Sequence, residues 1–381
     1  MIDVAIVGGG PAGCATALAL HQLGIDDVVV FEATDYAVDR VGESIPPNTR
    51  LPLRDLGLWD SFVEQGHERC LGSCSSWGAD ELAYNDFVLN PHGDGWHLDR
   101  VRFDRWMADE VERHGIRIDR RTRVSAVEPA TPVLPTRLEV CAEHGATTDV
   151  RCRFVVDATG SRSRIAREFG ARPRLEDRLV CVAGYLASGP DTTLSRLTVL
   201  EAVEYGWWYA ARLPDGRATA SVASDAAIIR SRRLTDPATW NDELHRCRHV
   251  GPALAGAVFE AGSLRVWAAP SMLLDPPAGD GWLAVGDAAA SYDPITSQGI
   301  HKALCDASTA APAIAAWLGG DPRGLIDHRL AVGERFIDYL GLRRYLYGME
   351  RRWERSSFWC RRADETPRVP APGDTVLAPS R

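Results

Sequence analysis

The feature that most constrains this chain is a glycine turn set between two short apolar runs at its start. Ile2 to Val7 is rich in Val and Ile and is bounded by glycine, which predicts a buried strand. Gly8, Gly10 and Gly13 follow at G-x-G-x-x-G spacing. Ala12 to Leu23 carries small and apolar residues with no breaker, which predicts a helix stopped by Gly24. Val28 to Phe31 is a second strand, and Glu32 closes it nineteen residues after Gly13. Each part has a physical task. Gly8 permits the tight turn, Gly10 lets backbone approach a pyrophosphate, and Gly13 lets helix and strand pack closely. The helix start offers free N–H groups and a positive dipole end. An acid at the end of the second strand accepts hydrogen bonds from a ribose. The stretch therefore predicts a dinucleotide site.

The rest of the chain bounds what surrounds that site. At 381 residues there is room for two domains or one interleaved unit. A net charge of −9 argues against nucleic acid or an anionic membrane as the main partner. No apolar run reaches membrane-span length, and a strand begins at once, which leads to the expectation of a cytoplasmic protein. Nine scattered cysteines with no C-x-x-C pair read as free thiols. Cys70 and Cys74 with His67, His92 and His97 match no common zinc spacing, so no metal is expected. The basic residues are arginines with one exception, Lys302.

In order, the pattern predicts a loop at Arg40–Pro47 and a helix over Asn48–Phe62. Strands are predicted at Cys70–Gly78 and Leu82–Leu89, a helix at Arg102–His114, and strands at Arg117–Val127, Leu138–Cys141 and Val150–Val156. Four successive antiparallel strands are expected at Leu179–Ala187, Leu194–Glu201, Gly206–Leu213 and Arg217–Ser224. Helices are expected at Asp236–Ala257, Gln298–Leu318 and Glu334–Arg362, with short strands at Ser271–Leu274 and Trp282–Val285. The tail from Asp364 is rich in Pro and polar residues and reads as loose. The nucleotide-type strands are thus interrupted twice by antiparallel material. The expected division is a discontinuous nucleotide domain (1–69, 100–178, 265–325), a substrate sheet (70–99, 179–264) and a C-terminal helical segment with tail (326–381).

Two further motifs join the glycine turn: Val156–Gly160, containing Asp157, and Gly286–Pro294, containing Asp287, with Gly299 beyond it. Together the three resemble the FAD-dependent aromatic hydroxylase, halogenase and geranylgeranyl reductase superfamily, over roughly residues 1–362. The fold this implies is α/β: a Rossmann-like FAD-binding domain of the glutathione-reductase-like, aromatic hydroxylase type, with an inserted antiparallel substrate sheet and C-terminal helices. The resemblance implies that Glu32 binds the adenosine ribose and that Arg40 and Arg100 lie along the FAD. It implies that Asp157 and Gly160 mark a second FAD loop, and that Gly286 and Asp287 reach the ribityl or pyrophosphate region. Pro294, Gly299 and Ile300 would lie beside the isoalloxazine. The Arg40–Pro46 loop, with Glu43 and Ser44, is similar to the flavin-side loop of the tryptophan-halogenase-like branch.

Two departures turn that resemblance away from halogenation. Gly206–Pro214 is similar to the halogenase G-W-x-W-x-I-P signature, but Tyr209 replaces the second Trp, and Ala211 and Arg212 replace Ile-Pro. Flavin halogenases also hold a lysine on the early substrate strand, whereas Leu71–Gly78 has none and Lys302 falls on the flavin-side helix. The segments around Trp77, Asn85, Trp96–Arg100, Trp353 and Trp359 resemble the flavoproteins that hydroxylate tryptophan in quinone-cofactor biogenesis. The implied activity is hydroxylation of an electron-rich ring, indole or tryptophan, in a small molecule or within a peptide or protein, through a C4a-hydroperoxyflavin. O2 is the co-substrate. No second dinucleotide fingerprint is present, so reducing equivalents come from NAD(P)H directly or through a separate flavin reductase. A halogenase and a double-bond reductase of the geranylgeranyl reductase type are the alternatives. Candidate substrate clamps are Trp77, Trp96, Trp207 and Tyr209; strand alternation puts Trp207 and Tyr209 on one face and Trp208 on the other. Each Trp has a plain core-packing reading as well. His97, whose ring titrates near neutrality when unperturbed, and Glu43 are the candidate acid–base residues.

Overall fold

The computed structural model describes residues 1–131, 134–189 and 192–363; the tail read as loose lies outside them. Its first sheet is built on five parallel strands, in spatial order Trp282–Ala284, Thr147–Asp157, Ile2–Val7, Val28–Phe31 and Arg117–Asp119. These are the nucleotide-type strands expected from the apolar runs. The first strand is buried on both faces, as a parallel sheet covered twice requires. Val4 and Ile6 pack with the helix Pro11–Gln22, while Ala5 and Val7 pack on the opposite side with Ile165 and Phe336.

The chain meets itself tightly at the glycine turn. A Cβ on Gly8 (φ +110°) would fall 2.3 Å from the Ala158 carbonyl oxygen, and one on Gly13 would fall 1.9 Å from the Gly8 carbonyl oxygen. A Cβ on Gly10 would meet nothing within 4 Å. Two of the three motif glycines are thus packing requirements, and the third keeps space open.

The second sheet runs Val258–Phe259, Leu179–Ala187, Ala218–Asp225, Gly206–Arg212, Leu197–Val203, Gly72–Ser76, Ala83–Asp86. Its strands are antiparallel except that Gly72–Ser76 pairs parallel with Leu197–Val203, which ties two stretches distant in sequence into one sheet. Alternation along Gly206–Arg212 holds. Trp208 packs with Trp240 on one face, and Trp207 and Tyr209 face the cluster around Tyr347 and Trp359. A small three-stranded sheet, Ser44–Ile45, Gly95–His97 and Glu68–Cys70, bridges the two large ones.

Several expected elements are divided. Arg117–Val127 breaks at Arg121 (φ +52°), and Thr122–Glu128 leaves the parallel ladder to pair with Thr136–Ala142. Asn48–Phe62 becomes Arg50–Asp55 and Trp59–Glu64, parted at Gly57 (φ +72°). The span Asp236–Ala257 becomes Pro237–Arg246 and Val250–Ala253. The last helix begins earlier than expected, at Arg323, runs to Met349, and gives way to a short helix from Ser357. At Arg121 and Gly57 a positive-φ residue turns the chain, and after Arg246 and Met349 the backbone becomes extended at Cys247 and Glu350, in each case within a pattern that looks continuous in sequence.

Gly13→Ala forces its methyl group onto backbone and is expected to cost about 3 kcal/mol of stability. Gly10→Ala, into open space, should leave the FAD-free protein within about 0.5 kcal/mol of the parent. Chemical denaturation of the two FAD-free variants checks both values.

Candidate functional site

The glycine turn and the acid after the second strand are locked together. Glu32 is buried; its Oε2 accepts the Gly9 N–H at 2.9 Å, and its Oε1 accepts the Thr34 N–H at 2.8 Å and the Thr34 hydroxyl at 2.6 Å. The Tyr36 hydroxyl donates to the Gly9 carbonyl at 2.9 Å. Arg40 reaches from Asp104 (3.5 Å) toward Glu32 (3.9 Å), and Arg100 binds the Asp104 carboxylate through Nε at 3.2 Å and Nη2 at 3.1 Å. Arg100 also donates to the Val41 carbonyl, so it pins the loop that carries Glu43 and Ser44. Tyr36 and Asp104 were not singled out in sequence; their contacts span distant segments.

The second and third motifs close on the same edge of the parallel sheet. Asp157 is buried, and its Oδ1 accepts the Thr159 N–H (2.9 Å) and hydroxyl (2.6 Å) while Oδ2 accepts the Ala166 N–H (2.7 Å). Burial pushes its carboxyl above the usual range and these donors pull it back. Asp157 therefore shapes the loop, and Gly160 (φ +74°) makes its turn. Gly286 (φ +61°) turns the chain beside Ala12, and Asp287 is half exposed next to it. Pro294 and Gly299 are exposed, and Ile300 is buried in the first turn of the helix Gly299–Leu318. Neither Gly10 nor Gln298 caps its helix with a side chain. Open space at Gly10, two uncapped helix starts and the arginines Arg40 and Arg100 fit an anionic dinucleotide lying across this edge.

Between the two large sheets lies a buried polar cluster. The Ser44 hydroxyl is 2.7 Å from the Tyr209 hydroxyl and 3.5 Å from that of Thr198, which lies 3.0 Å from His97 Nε2. Cys70 approaches Thr198 at 3.6 Å. Strand pairing makes this possible: Ser44 sits opposite His97 in the bridging sheet, while Thr198 and Tyr209 come from neighbouring strands of the second sheet. Glu43 Oε2 accepts the Gly42 N–H at 3.0 Å, and the Thr219 hydroxyl and the Arg212 backbone lie beside Glu43 and His97 respectively. Burial raises the Glu43 carboxyl and lowers His97 to about 4, so His97 is neutral at pH 7. Burial and the nearby Glu43 hold the Tyr209 phenol well above its ordinary value. A cavity of about 120 Å³ opens beside Glu43, lined also by Arg40, Asp99, Arg100, Tyr185 and Arg217.

The tryptophans divide. Trp77 donates to the Leu346 carbonyl at 2.7 Å and meets Trp359 edge-on, and Trp207 donates to the Tyr347 hydroxyl at 3.0 Å. Trp96 is buried in another core, edge-on to Phe62 and Trp59. Of the four expected clamps, Tyr209 joins the Glu43–His97 cluster, Trp77 and Trp207 gather against the C-terminal helix, and Trp96 lies apart from both.

A family model described as an FAD binding domain matches residues 1–329. The chain belongs to this FAD-binding family. LodB of Marinomonas mediterranea, named as an FAD-dependent oxidoreductase, is 28% identical over 364 residues, covering 94% of this chain and 96% of LodB. The flavin-dependent halogenase CmlS superposes with a TM-score of 0.84 at 27% identity, over 95% of this chain and 67% of CmlS. The peptidyl tryptophan dihydroxylase QhpG, essential for tryptophylquinone cofactor biogenesis, shares the fold with a TM-score of 0.75 at 24% identity, over 95% of this chain and 78% of its own. The protein is an FAD-dependent oxidoreductase of the hydroxylase and halogenase superfamily, as its three motifs imply. Among the described residues no helix is long and apolar enough to cross a membrane.

The buried His97 couples this site to pH. Its ring titrates at about 4 in the folded protein against 6.5 when unperturbed. Below pH 6.5 the unfolded chain takes up a proton that the folded protein does not, so stability falls as pH drops from about 6.5 to about 4, by roughly 3 kcal/mol for this group. His67, lowered to about 3, acts in the same direction. Urea unfolding across that pH range should show the fall, and His97→Gln should flatten it by about one proton.

Proposed function

We propose that this flavoprotein is a monooxygenase that hydroxylates an electron-rich aromatic ring, indole or tryptophan, carried by a small molecule or by a peptide or protein. The observation that carries this reading is the placement of the chain's single lysine. The substrate strand Gly72–Ser76, where a halogenase holds its lysine, has none, and Lys302 is buried in the helix on the cofactor side. Without a lysine at the substrate strand, nothing there would capture and aim a hypohalous acid. The fold shared with QhpG, a peptidyl tryptophan dihydroxylase, supports the hydroxylase reading, and LodB, similar over nearly the full length of both chains, supports an FAD-dependent oxidoreductase of either kind. CmlS supports the second reading, a halogenase.

When bound, FAD would supply the activation of O2, with reducing equivalents from NAD(P)H directly or through a separate flavin reductase. The residues supply position, dryness and a proton site. The glycine turn, Glu32, Arg40 and Arg100 would hold the nucleotide end. Asp157 shapes the second loop, and Asp287 with Pro294, Gly299 and Ile300 would hold the flavin end. Tyr209, fixed through Ser44, would form part of the substrate wall, with Trp77 and Trp207 packed behind it against the C-terminal helix. Glu43, whose burial favours the protonated form, is the group placed to hold and return one proton. His97 orients that cluster as a neutral ring through Thr198. Nine unpaired thiols fit a reducing cytoplasm.

Incubation with reduced FAD, O2, chloride or bromide, and indoles or tryptophan-containing peptides separates the readings. Mass spectrometry should show gain of oxygen in a ring-bearing substrate; a chlorine or bromine isotope pattern would overturn the proposal. Glu43→Gln should lower the hydroxylation rate about a hundredfold while FAD content stays the same.

A further inference from the structure

The mechanism above leaves Lys302 without a role. The residue lies in the first turn of the helix Gly299–Leu318 and is 4% exposed. Its Nζ has no hydrogen bond among the described residues, although an ammonium carries three donors. It lies 3.5 Å from Asp287 Oδ1, 3.9 Å from Asp306 Oδ2 and 5.1 Å from the Tyr292 ring centre. Asp306 is already engaged, accepting the Gly286 N–H at 2.7 Å and Arg335 at 2.8 Å. Asp287 is the half-exposed partner.

The surroundings show what this pair faces. The Gly286–Asp287 turn leaves the strand Trp282–Ala284 at the carboxyl edge of the parallel sheet, where such folds bind ligands. A Cβ at Gly286 would fall 2.6 Å from that of Ala12 and 3.7 Å from that of Ala303. The turn therefore sits between the first turns of two helices, both without side-chain caps. Two positive helix ends attract the phosphates of FAD. A bare carboxylate at the same place would repel them. A buried ammonium behind the carboxylate removes that conflict and leaves Asp287 free to accept hydrogen bonds. The niche, closed by Ala303, Asp306 and Tyr292, suits a compact ammonium better than a planar guanidinium, in a chain that otherwise uses arginine throughout.

We propose that Lys302 is a positioning residue for FAD, which holds the Asp287 carboxylate in place and offsets its charge so that one crevice accepts both hydroxyl and phosphate groups. The inference stands on FAD binding and is independent of the reaction class, so its test needs no turnover. FAD titration of FAD-free protein, followed by fluorescence, should give a Kd about tenfold higher for Lys302→Gln. In an Asp287→Asn background the same substitution should change Kd by less than about threefold, because the carboxylate it neutralises is gone. An unchanged Kd in Lys302→Gln overturns the proposal, as does an equal effect in both backgrounds. Should Lys302→Gln fail to fold, Lys302→Met, an unbranched apolar side chain suited to the buried niche, takes its place in both backgrounds, and an equal effect on the FAD Kd in the two overturns the proposal.

Discussion

The structure depends first on how closely the chain approaches itself at Gly8. The Ala158 carbonyl lies where a Gly8 side chain would stand, and the Gly8 carbonyl lies where a Gly13 side chain would stand. That contact joins three segments distant in sequence: the first strand, its crossover helix and the loop after Asp157. The Gly286 turn adds a fourth by packing on Ala12. Because these contacts are backbone to backbone or backbone to methyl, they leave little freedom to slide. The carboxyl edge of the parallel sheet is thereby set by packing.

A second device recurs around that edge. Buried carboxylates accept backbone N–H groups where the chain leaves a regular element. Glu32 takes Gly9 and Thr34, Asp157 takes Thr159 and Ala166, Asp293 takes Ile295, and Asp306 takes Gly286. Glu201 does the same at the far side of the substrate sheet, accepting from residues 248, 249 and 250. Hydrogen bonds to a charged acceptor are stronger than neutral ones, and satisfied buried charges fix loops in one arrangement. Loops that would otherwise be mobile are shaped in advance, which reduces the ordering cost of binding a long cofactor.

The long helix Arg323–Met349 connects the turn at Asp293 to the second sheet. Asp293, fully buried, accepts the Tyr347 hydroxyl at 2.8 Å, and its N–H donates to the Tyr339 hydroxyl at 2.7 Å. Tyr347 in turn accepts from Trp207. None of this was legible in the aromatic-rich pattern of residues 334–362, which indicated a buried face without saying against what. The parallel strands were legible because continuous Val and Ile runs have few other fates. The opposite faces of Trp207 and Trp208 were legible because strand alternation is a rule of backbone geometry. Thr198 and Cys70 were not, because a lone Thr or Cys in a strand carries no signal until its neighbour across the sheet is known.

The sequence by itself determined a dinucleotide edge, since glycine spacing, an acid at fixed distance and two uninterrupted apolar runs are local requirements. It also determined that the strand Gly72–Ser76 carries no lysine. Tertiary structure alone decided which residues meet: that Glu43, Ser44, Thr198, His97 and Tyr209 share one buried cluster, that Trp96 packs elsewhere, and that Lys302 sits behind Asp287. The reason is physical. Local pattern fixes the conformation of a segment, but the identity of a neighbour across a sheet or beneath a helix depends on register and packing between segments far apart in the chain.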